Sequence, residues 1–429
     1  MDFLRRAARE RPDAPAVEFE GRSWSYAEMD HAASVVGRIV ADSGLAGTTV
    51  AFWGERDPAT VAALWGIPRA GARGLPVDPA MPPARSMDLT RGHGARGLWA
   101  VPGGGIDGLL RRRVVQPERW GPPHPDARYV VLTSGTTGGP KGVTVTGANI
   151  DAATAASEQR LGNAPDDRWL AVLPMFSIGG LSILWRQARC GAPVVLGRSF
   201  QALEGSGAHW VSLVPTMLHR LLDDGVAPGR LRGALIGGGP ADPDLMRRAL
   251  EAGWPVLQTY GMTETTSQVA TVAPGEEMES LGTAGRPLEG ADVRISGEGR
   301  IEVRGPMVSP GYDGDEARQA GEWFTTGDLG SLDGAGRLVV HGRADRVMVT
   351  GGSNVDPATV EEALASHPGV EVARVTGETD PEWGMRVVAE FEGTADPDEV
   401  RMWLSGRLAP HEVPKEIRRV EQISGKLDG

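Results

Sequence analysis

Cys190 is the single cysteine of this chain. That excludes an internal disulfide framework and a metal site built from clustered thiolates. An excess of positive charge is missing too. The 44 Lys and Arg face 56 Asp and Glu, a formal net charge of −12, which argues against nucleic acid as the partner because phosphate backbones select basic surfaces. No apolar run approaches a membrane span, and the opening MDFLRRAARERPD lacks the apolar core of a signal peptide, so the expected location is the cytoplasm. No internal repeat is visible. Tyrosine is scarce, with four in 429 residues, whereas glycine (60) and proline (32) are plentiful. Both are spread along the chain and read as many turns, not as a disordered segment.

The length predicts two or three domains. The runs TVAFWG (49–54), YVVLTS (129–134), WLAVLP (169–174), PVVLG (193–197), WVSLVP (210–215) and GALIGGG (233–239) are apolar on both faces. They are separated by helical patterns such as TMLHRLLDDG and DPDLMRRALEAG, where Asp242 reads as an N-cap before Pro243. Buried strands alternating with helices predict an α/β fold with mostly parallel sheets. Beyond about residue 290, short alternating strands with glycine turns predict a small antiparallel piece. Two helices then follow, in DPATVEEALASHPG and DPDEVRMWLSGRL, capped by Asp356 and Asp396, the second with Glu399 in capping-box position. The expected division is 1–343 and 344–429, the second part a small α+β unit.

Four constellations carry chemistry, the third spanning both TTGDLG and GRADR. TSGTTGGPKG sets hydroxyls, glycines and Lys141 directly behind a buried strand, as a phosphate site requires. It is not a Walker loop, because Pro140 and Gly142 stand where glycine and a Mg²⁺-binding hydroxyl belong. QTYGMTETTSQ offers Tyr260 to stack on a base and Glu264 to hold Mg²⁺, while Gly237, Gly238 and Gly239 upstream let a flat ring approach the backbone. In TTGDLG, Asp328 sits in a glycine-bounded turn where a carboxylate can accept ribose hydroxyls. GRADR supplies Arg343 and Asp345, whose plainer reading is a surface ion pair. Lys426, in GKLDG, reads by itself as a solvated lysine.

Together these stretches, in this order, resemble the acyl-adenylate-forming superfamily of acyl-CoA synthetases, peptide-synthetase adenylation domains and luciferases. The matches run from about residue 129 to 426. The resemblance implies a large N-terminal domain, a small mobile C-terminal lid, and two half-reactions. In the first, a carboxylate attacks ATP to give acyl-AMP and pyrophosphate; in the second, a thiol takes the acyl group. Thr133, Ser134, Gly135, Thr136, Thr137, Gly138 and Lys141 would grip the phosphates. Tyr260 would stack on adenine beside Gly238, Gly239 and Pro240, with Gly261 and Met262 lining the same site. Thr263 would contact the α-phosphate, Glu264 would bind Mg²⁺, and Asp328 with Arg343 would take the ribose. Asp345 matches the hinge, Gly351 and Gly352 the thiol channel, and Lys426 the adenylation lysine.

Within that superfamily, LPMFSIGGLSILWRQARCGAPVVL and its sequels most resemble the o-succinylbenzoate–CoA ligases of menaquinone synthesis. Phe176, Ser177, Arg186, Gly237, Gly261 and Ser267 would line the acyl pocket, with Ser177 standing where the family usually has histidine. Arg186 matches a basic position that can hold a second carboxylate; its plainer reading is an arginine on a helix surface. The expected partners are a small carboxylic acid, ATP, Mg²⁺ and coenzyme A. The alternatives left open are the phosphopantetheine of a separate carrier protein as thiol, in a stand-alone adenylation enzyme of secondary metabolism, and a homodimer as the assembly.

Overall fold

The computed structural model describes residues 2–81, 86, 90, 92–93, 95–99, 112–114, 126–133, 141–239, 241–344, 348–350, 353–355, 357–380, 384–408 and 412–423. Two compact units emerge. The larger comprises Met1–Arg294, Glu302–Phe324 and Leu332–Val339, the smaller Ile295–Ile301, Thr325–Ser331 and Val340–Gly429.

The apolar runs of the larger unit form two sheets. One has six strands in the order Arg112–Val114, Ala95–Trp99, Thr49–Trp53, Arg73–Val77, Ala127–Thr133 and Lys141–Thr146. Its centre is parallel and its last pair is an antiparallel hairpin. The other has eight strands, from Ser267–Thr271 through Val256–Met262, Gly233–Ile236, Trp210–Leu213, Trp169–Ala171, Val194–Leu196 and Pro15–Phe19 to Arg22–Ser25. It too is parallel inside, with antiparallel pairs at both ends. Strands buried on both faces need apolar residues at every position, which is why these runs do not alternate.

Helix Ile178–Cys190 contributes Leu181, Ile183, Leu184 and Trp185 to a core shared with Val131 and Val145 of the first sheet and Trp169, Trp210 and Leu257 of the second. Trp169 and Trp210 stack there, with ring centres 5.6 Å apart. Asp242 caps helix Pro243–Glu251 through the Asp244 amide, as the sequence predicts.

In the smaller unit, Val370–Asp380 pairs antiparallel with Gly384–Gly393, which pairs parallel with Glu416–Arg419. Helices Pro357–Ala365 and Pro397–Ser405 supply Val360, Leu364, Val400 and Leu404 to its own core. Asp396 caps the second helix, but its bond goes to the Asp398 amide, one residue short of the Glu399 contact that a capping box uses. Among the described residues no helix is long and apolar enough to cross a membrane.

Candidate active site

The lysine of the glycine-rich stretch is set by a hairpin. Thr133 ends one strand, Lys141 begins the next, and the two are paired partners, with the Thr133 hydroxyl 3.4 Å from the Lys141 carbonyl. Ser134, Gly135, Thr136, Thr137 and Gly138, between them, lie outside the described residues. The Lys141 ammonium lies 5.1 Å from the centre of the Tyr312 ring, within cation–π range. The Tyr312 hydroxyl donates a 2.9 Å hydrogen bond to Glu264 Oε1. A cation and a carboxylate from two separate motifs thus meet on one aromatic side chain. Burial and the Glu264 carboxylate push the Tyr312 phenol up to about 12, so it keeps its proton at neutral pH.

Glu264 owes its place to a tight turn. Strand Val256–Met262, which carries Tyr260, runs antiparallel to Ser267–Thr271, and Thr263–Thr265 makes one short 3₁₀ turn between them. Thr263 is buried. The Thr265 hydroxyl accepts from the Met262 amide at 3.0 Å and donates to the Ser267 carbonyl at 3.0 Å. A Cβ on Gly261 would collide with that carbonyl, so only glycine fits. Thr266 and Ser267 have φ of +53° and +91°, a conformation costing on the order of 1–3 kcal/mol for each non-glycine residue and concentrated at functional sites. Nearby, a Cβ on Gly237 would sit 2.8 Å from Thr259 Cγ2, and Gly238 has φ +79°. Gly239 is exposed, and Pro240 lies outside the described residues.

The Ser267 hydroxyl lies beside Arg186. The Arg186 Nη2 donates to Ser267 Oγ at 3.1 Å, Ser267 Oγ lies 3.2 Å from Ser182 Oγ, and the guanidinium sits 5.3 Å from the Trp169 ring centre. Arg186 is 5% exposed, which overturns the surface-arginine reading. Nearly the whole of helix Ile178–Cys190 is buried, so no outward face was available to it. Among the described residues no carboxylate forms an ion pair with Arg186, and burial pushes its guanidinium down to about 9. A solvated cation is thereby excluded; a buried cation of this kind calls for an anion.

Ser177 has a local duty. It caps the same helix, donating to the Pro174 carbonyl at 2.8 Å and accepting from the Gly180 amide at 3.4 Å. Phe176 packs on Gly54, where a Cβ would come within 2.7 Å of the Phe176 amide. In the smaller unit, Asp328 lies on strand Phe324–Leu332 and Arg343 ends Leu338–Arg343, with Nη1 and Oδ1 3.8 Å apart. A Cβ on Gly327 would meet the Arg343 guanidinium at 2.7 Å, so the glycine makes room for it. The Asp328 side chain is sheltered, at 14% exposed, while Arg343, at 42%, remains open to solvent. Asp345, Gly351, Gly352, Asp356 and Lys426 lie outside the described residues.

Residues 4–313 match the model of the AMP-binding enzyme family, and residues 359–426 that of the AMP-binding enzyme C-terminal domain. The chain belongs to the AMP-binding enzymes. Over 323 residues, 70% of this chain and 67% of the relative, it is 39% identical to a 2-succinylbenzoate–CoA ligase of Bacillus thuringiensis subsp. konkukian. Its fold is similar to that of o-succinylbenzoate CoA synthetase (MenE) from Bacillus subtilis in complex with the acyl-adenylate intermediate OSB-AMP. The TM-score is 0.89 at 30% identity, over 98% of this chain and 95% of that one. The same synthetase in complex with ATP and magnesium ion gives 0.86 at 29% identity, over 98% and 96%.

Sequence reasoning about this AMP-binding enzyme overlooked Tyr312, which falls in the unremarkable stretch SPGYDGDEA. The one available signal was the rarity of tyrosine, with four in the chain. It also overlooked the neighbouring buried ion pair, in which Arg73 Nη1 lies 2.6 Å from Asp313 Oδ1, and His93 Nδ1 3.5 Å from Asp313 Oδ2. Burial works to raise the Asp313 carboxyl, but the His93 side chain and the Arg73 guanidinium together hold it below the usual carboxylate range.

Proposed function

We propose that this AMP-binding enzyme is an ATP-dependent acid–CoA ligase whose substrate is an aromatic acid with a second carboxylate, o-succinylbenzoate in the first instance. The observation that carries the substrate class is Arg186, a buried guanidinium beside Ser267 with no described carboxylate paired to it. A second carboxylate of the substrate would supply that missing charge, and a monoacid would leave it unpaired. The names of the relatives support the same class.

In the first half-reaction a carboxylate oxygen of the acid bonds to the α-phosphorus of ATP, and the bond to the β-phosphate oxygen breaks. Acyl-AMP and pyrophosphate result. In the second, the coenzyme A thiol loses its proton and its sulfur bonds to the acyl carbon, while AMP leaves with the electron pair of the broken acyl–oxygen bond. The first step brings anions together, so its barrier is largely electrostatic. Lys141 and the hydroxyl-rich loop from Thr133 to Gly138 would hold the leaving phosphates, and Thr263 would contact the α-phosphate. Tyr260 with Gly238, Gly239 and Pro240 would bound the adenine site, Asp328 and Arg343 would take the ribose, and Phe176, Gly237, Gly261 and Ser267 would shape the acid pocket.

Magnesium fits Glu264. It is one carboxylate with one oxygen already held by Tyr312, and among the described residues no cluster of three potential ligands surrounds it. Mg²⁺ commonly takes one or two carboxylates together with substrate phosphates and water, and when bound it would neutralise phosphate charge. Residues 344–429 would form a lid hinged at Asp345. The lid would bring Lys426 to the acid and α-phosphate for the first step, then present Gly351 and Gly352 to the thiol for the second.

Pyrophosphate release measured across a panel of mono- and diacids, with coenzyme A as acceptor, tests the proposal. Turnover of o-succinylbenzoate with a thioester product supports it. Equal turnover of monoacids, or a requirement for a carrier protein in place of coenzyme A, would replace it.

A further inference from the structure

One segment, residues 305–313, ties together the two motifs that would meet the phosphates. Toward the Glu264 turn, the Ser309 amide donates to the Glu264 carbonyl at 2.8 Å and the Thr266 hydroxyl donates to the Met307 carbonyl at 2.9 Å. Toward the Lys141 strand, the Thr144 amide donates to the Gly311 carbonyl at 3.0 Å and the Asp313 amide to the Gly142 carbonyl at 2.7 Å. The Ser309 hydroxyl bonds the Thr144 carbonyl at 2.6 Å. Asn149 Nδ2 holds the segment from a third side, through the Pro306 and Val308 carbonyls at 2.8 and 2.9 Å. The buried Arg73–Asp313 pair fixes its far end. Tyr312 therefore projects from a backbone that is pinned on several sides, and its ring and hydroxyl have little freedom to wander.

From that mount, Tyr312 touches both charges, its ring facing the Lys141 ammonium and its hydroxyl bonded to Glu264 Oε1. We infer that Tyr312 is a positioning residue that presets Glu264 for the metal–phosphate complex and Lys141 for the leaving phosphates, so that both charges stand ready before ATP arrives. This rests on the ligase reading. The hydroxyl bond selects one orientation of the carboxylate and leaves Oε2 for another partner. The ring keeps the lysine close to the carboxylate without the direct ion pair that would neutralise it. Neither effect needs Tyr312 to touch substrate.

The test is calorimetry of ATP binding to the full chain, in EDTA and over a Mg²⁺ titration, for wild type, Tyr312→Phe and Tyr312→Met. Tyr312→Phe keeps the ring and should raise the Mg²⁺ concentration for half-maximal ATP affinity roughly tenfold, the worth of one hydrogen bond to a charged group. Its affinity in EDTA and its Tm should stay at the wild-type values. Tyr312→Met, lacking the ring, should also lose affinity in EDTA. Thioester formation from supplied acyl-AMP and coenzyme A, which involves no pyrophosphate, should survive in both. In a Glu264→Gln background Tyr312→Phe should have no further effect on Mg²⁺ dependence. An unchanged Mg²⁺ titration in Tyr312→Phe overturns the inference and leaves the ligase reading standing. Equal loss of both half-reactions together with a lowered Tm also overturns it, because the residue would then be only structural. Failure of the wild type to bind ATP at any Mg²⁺ concentration removes the ligase reading and this inference with it.

Discussion

Replacing Arg186 by methionine should make the protein more stable and a worse enzyme, and the two effects can be sized from the same contacts. The guanidinium is 5% exposed. Burial lowers its pKa from 12.5 to about 9. At ~1.4 kcal/mol per unit, holding that charge without an anion carries a penalty of about 4–5 kcal/mol. The hydrogen bond to Ser267 and the contact with the Trp169 ring return about 3 kcal/mol together. Methionine has a similar reach, no charge and an adaptable shape. The difference leaves about 1–2 kcal/mol in its favour, in line with other buried charges replaced by apolar residues. Thermal melts of the free protein should show Tm raised by roughly 2–5 °C. Assays of pyrophosphate release should show kcat/KM for o-succinylbenzoate down roughly a hundredfold or more, the loss expected when a buried charge pair is cut. A monoacid of similar size should change little. A fall in Tm, or equal loss for monoacid and diacid, would mean that Arg186 holds the fold and does not wait for a carboxylate.

The same charge sets a pH dependence. A base whose folded pKa is lowered destabilises the fold while it is charged, so the penalty at Arg186 is present below about 9 and is relieved as pH climbs toward 12.5. Diacid binding needs the charge, so affinity for o-succinylbenzoate, measured by calorimetry, should fall as pH rises above about 9 while affinity for a monoacid does not follow. Lys426→Ala should lower adenylation roughly a hundredfold or more yet spare thioester formation from supplied acyl-AMP; equal loss of the two steps would contradict a lid role. Gly261→Ala should unfold or inactivate the larger unit, because its Cβ would be driven into the Ser267 carbonyl; circular dichroism and a denaturant titration indistinguishable from wild type would show the turn to be more yielding than its geometry implies.

The layers of the fold were legible because burial on both faces leaves its mark on every residue of a strand. TVAFWG and WVSLVP could hardly be anything else between turn residues. The cap at Asp242 was legible for a local reason, an acceptor one residue before a proline at the first helical position. Within the candidate site, the sequence singles out Lys141 and Glu264 because loop composition points to phosphate and metal chemistry. It gives no sign of the contact that joins them, since Tyr312 and Glu264 are 48 residues apart and meet only through tertiary packing. Nor could the positive φ of Thr266 and Ser267 be read, as neither is a residue type that favours it. Arg186 was ambiguous in the sequence because helical periodicity locates one outward face, whereas this helix is buried from Gly180 to Ala188.

The proposed ligase activity turns on one bond, between a dicarboxylic acid and AMP. Exchange of labelled pyrophosphate into ATP reads the making of that bond, because the exchange requires the acyl-adenylate to form and revert on the enzyme. Exchange should depend on both Mg²⁺ and o-succinylbenzoate, be nearly absent with monoacids and collapse in Arg186→Met. Binding of ATP without exchange in the presence of any diacid would contradict the proposed activity.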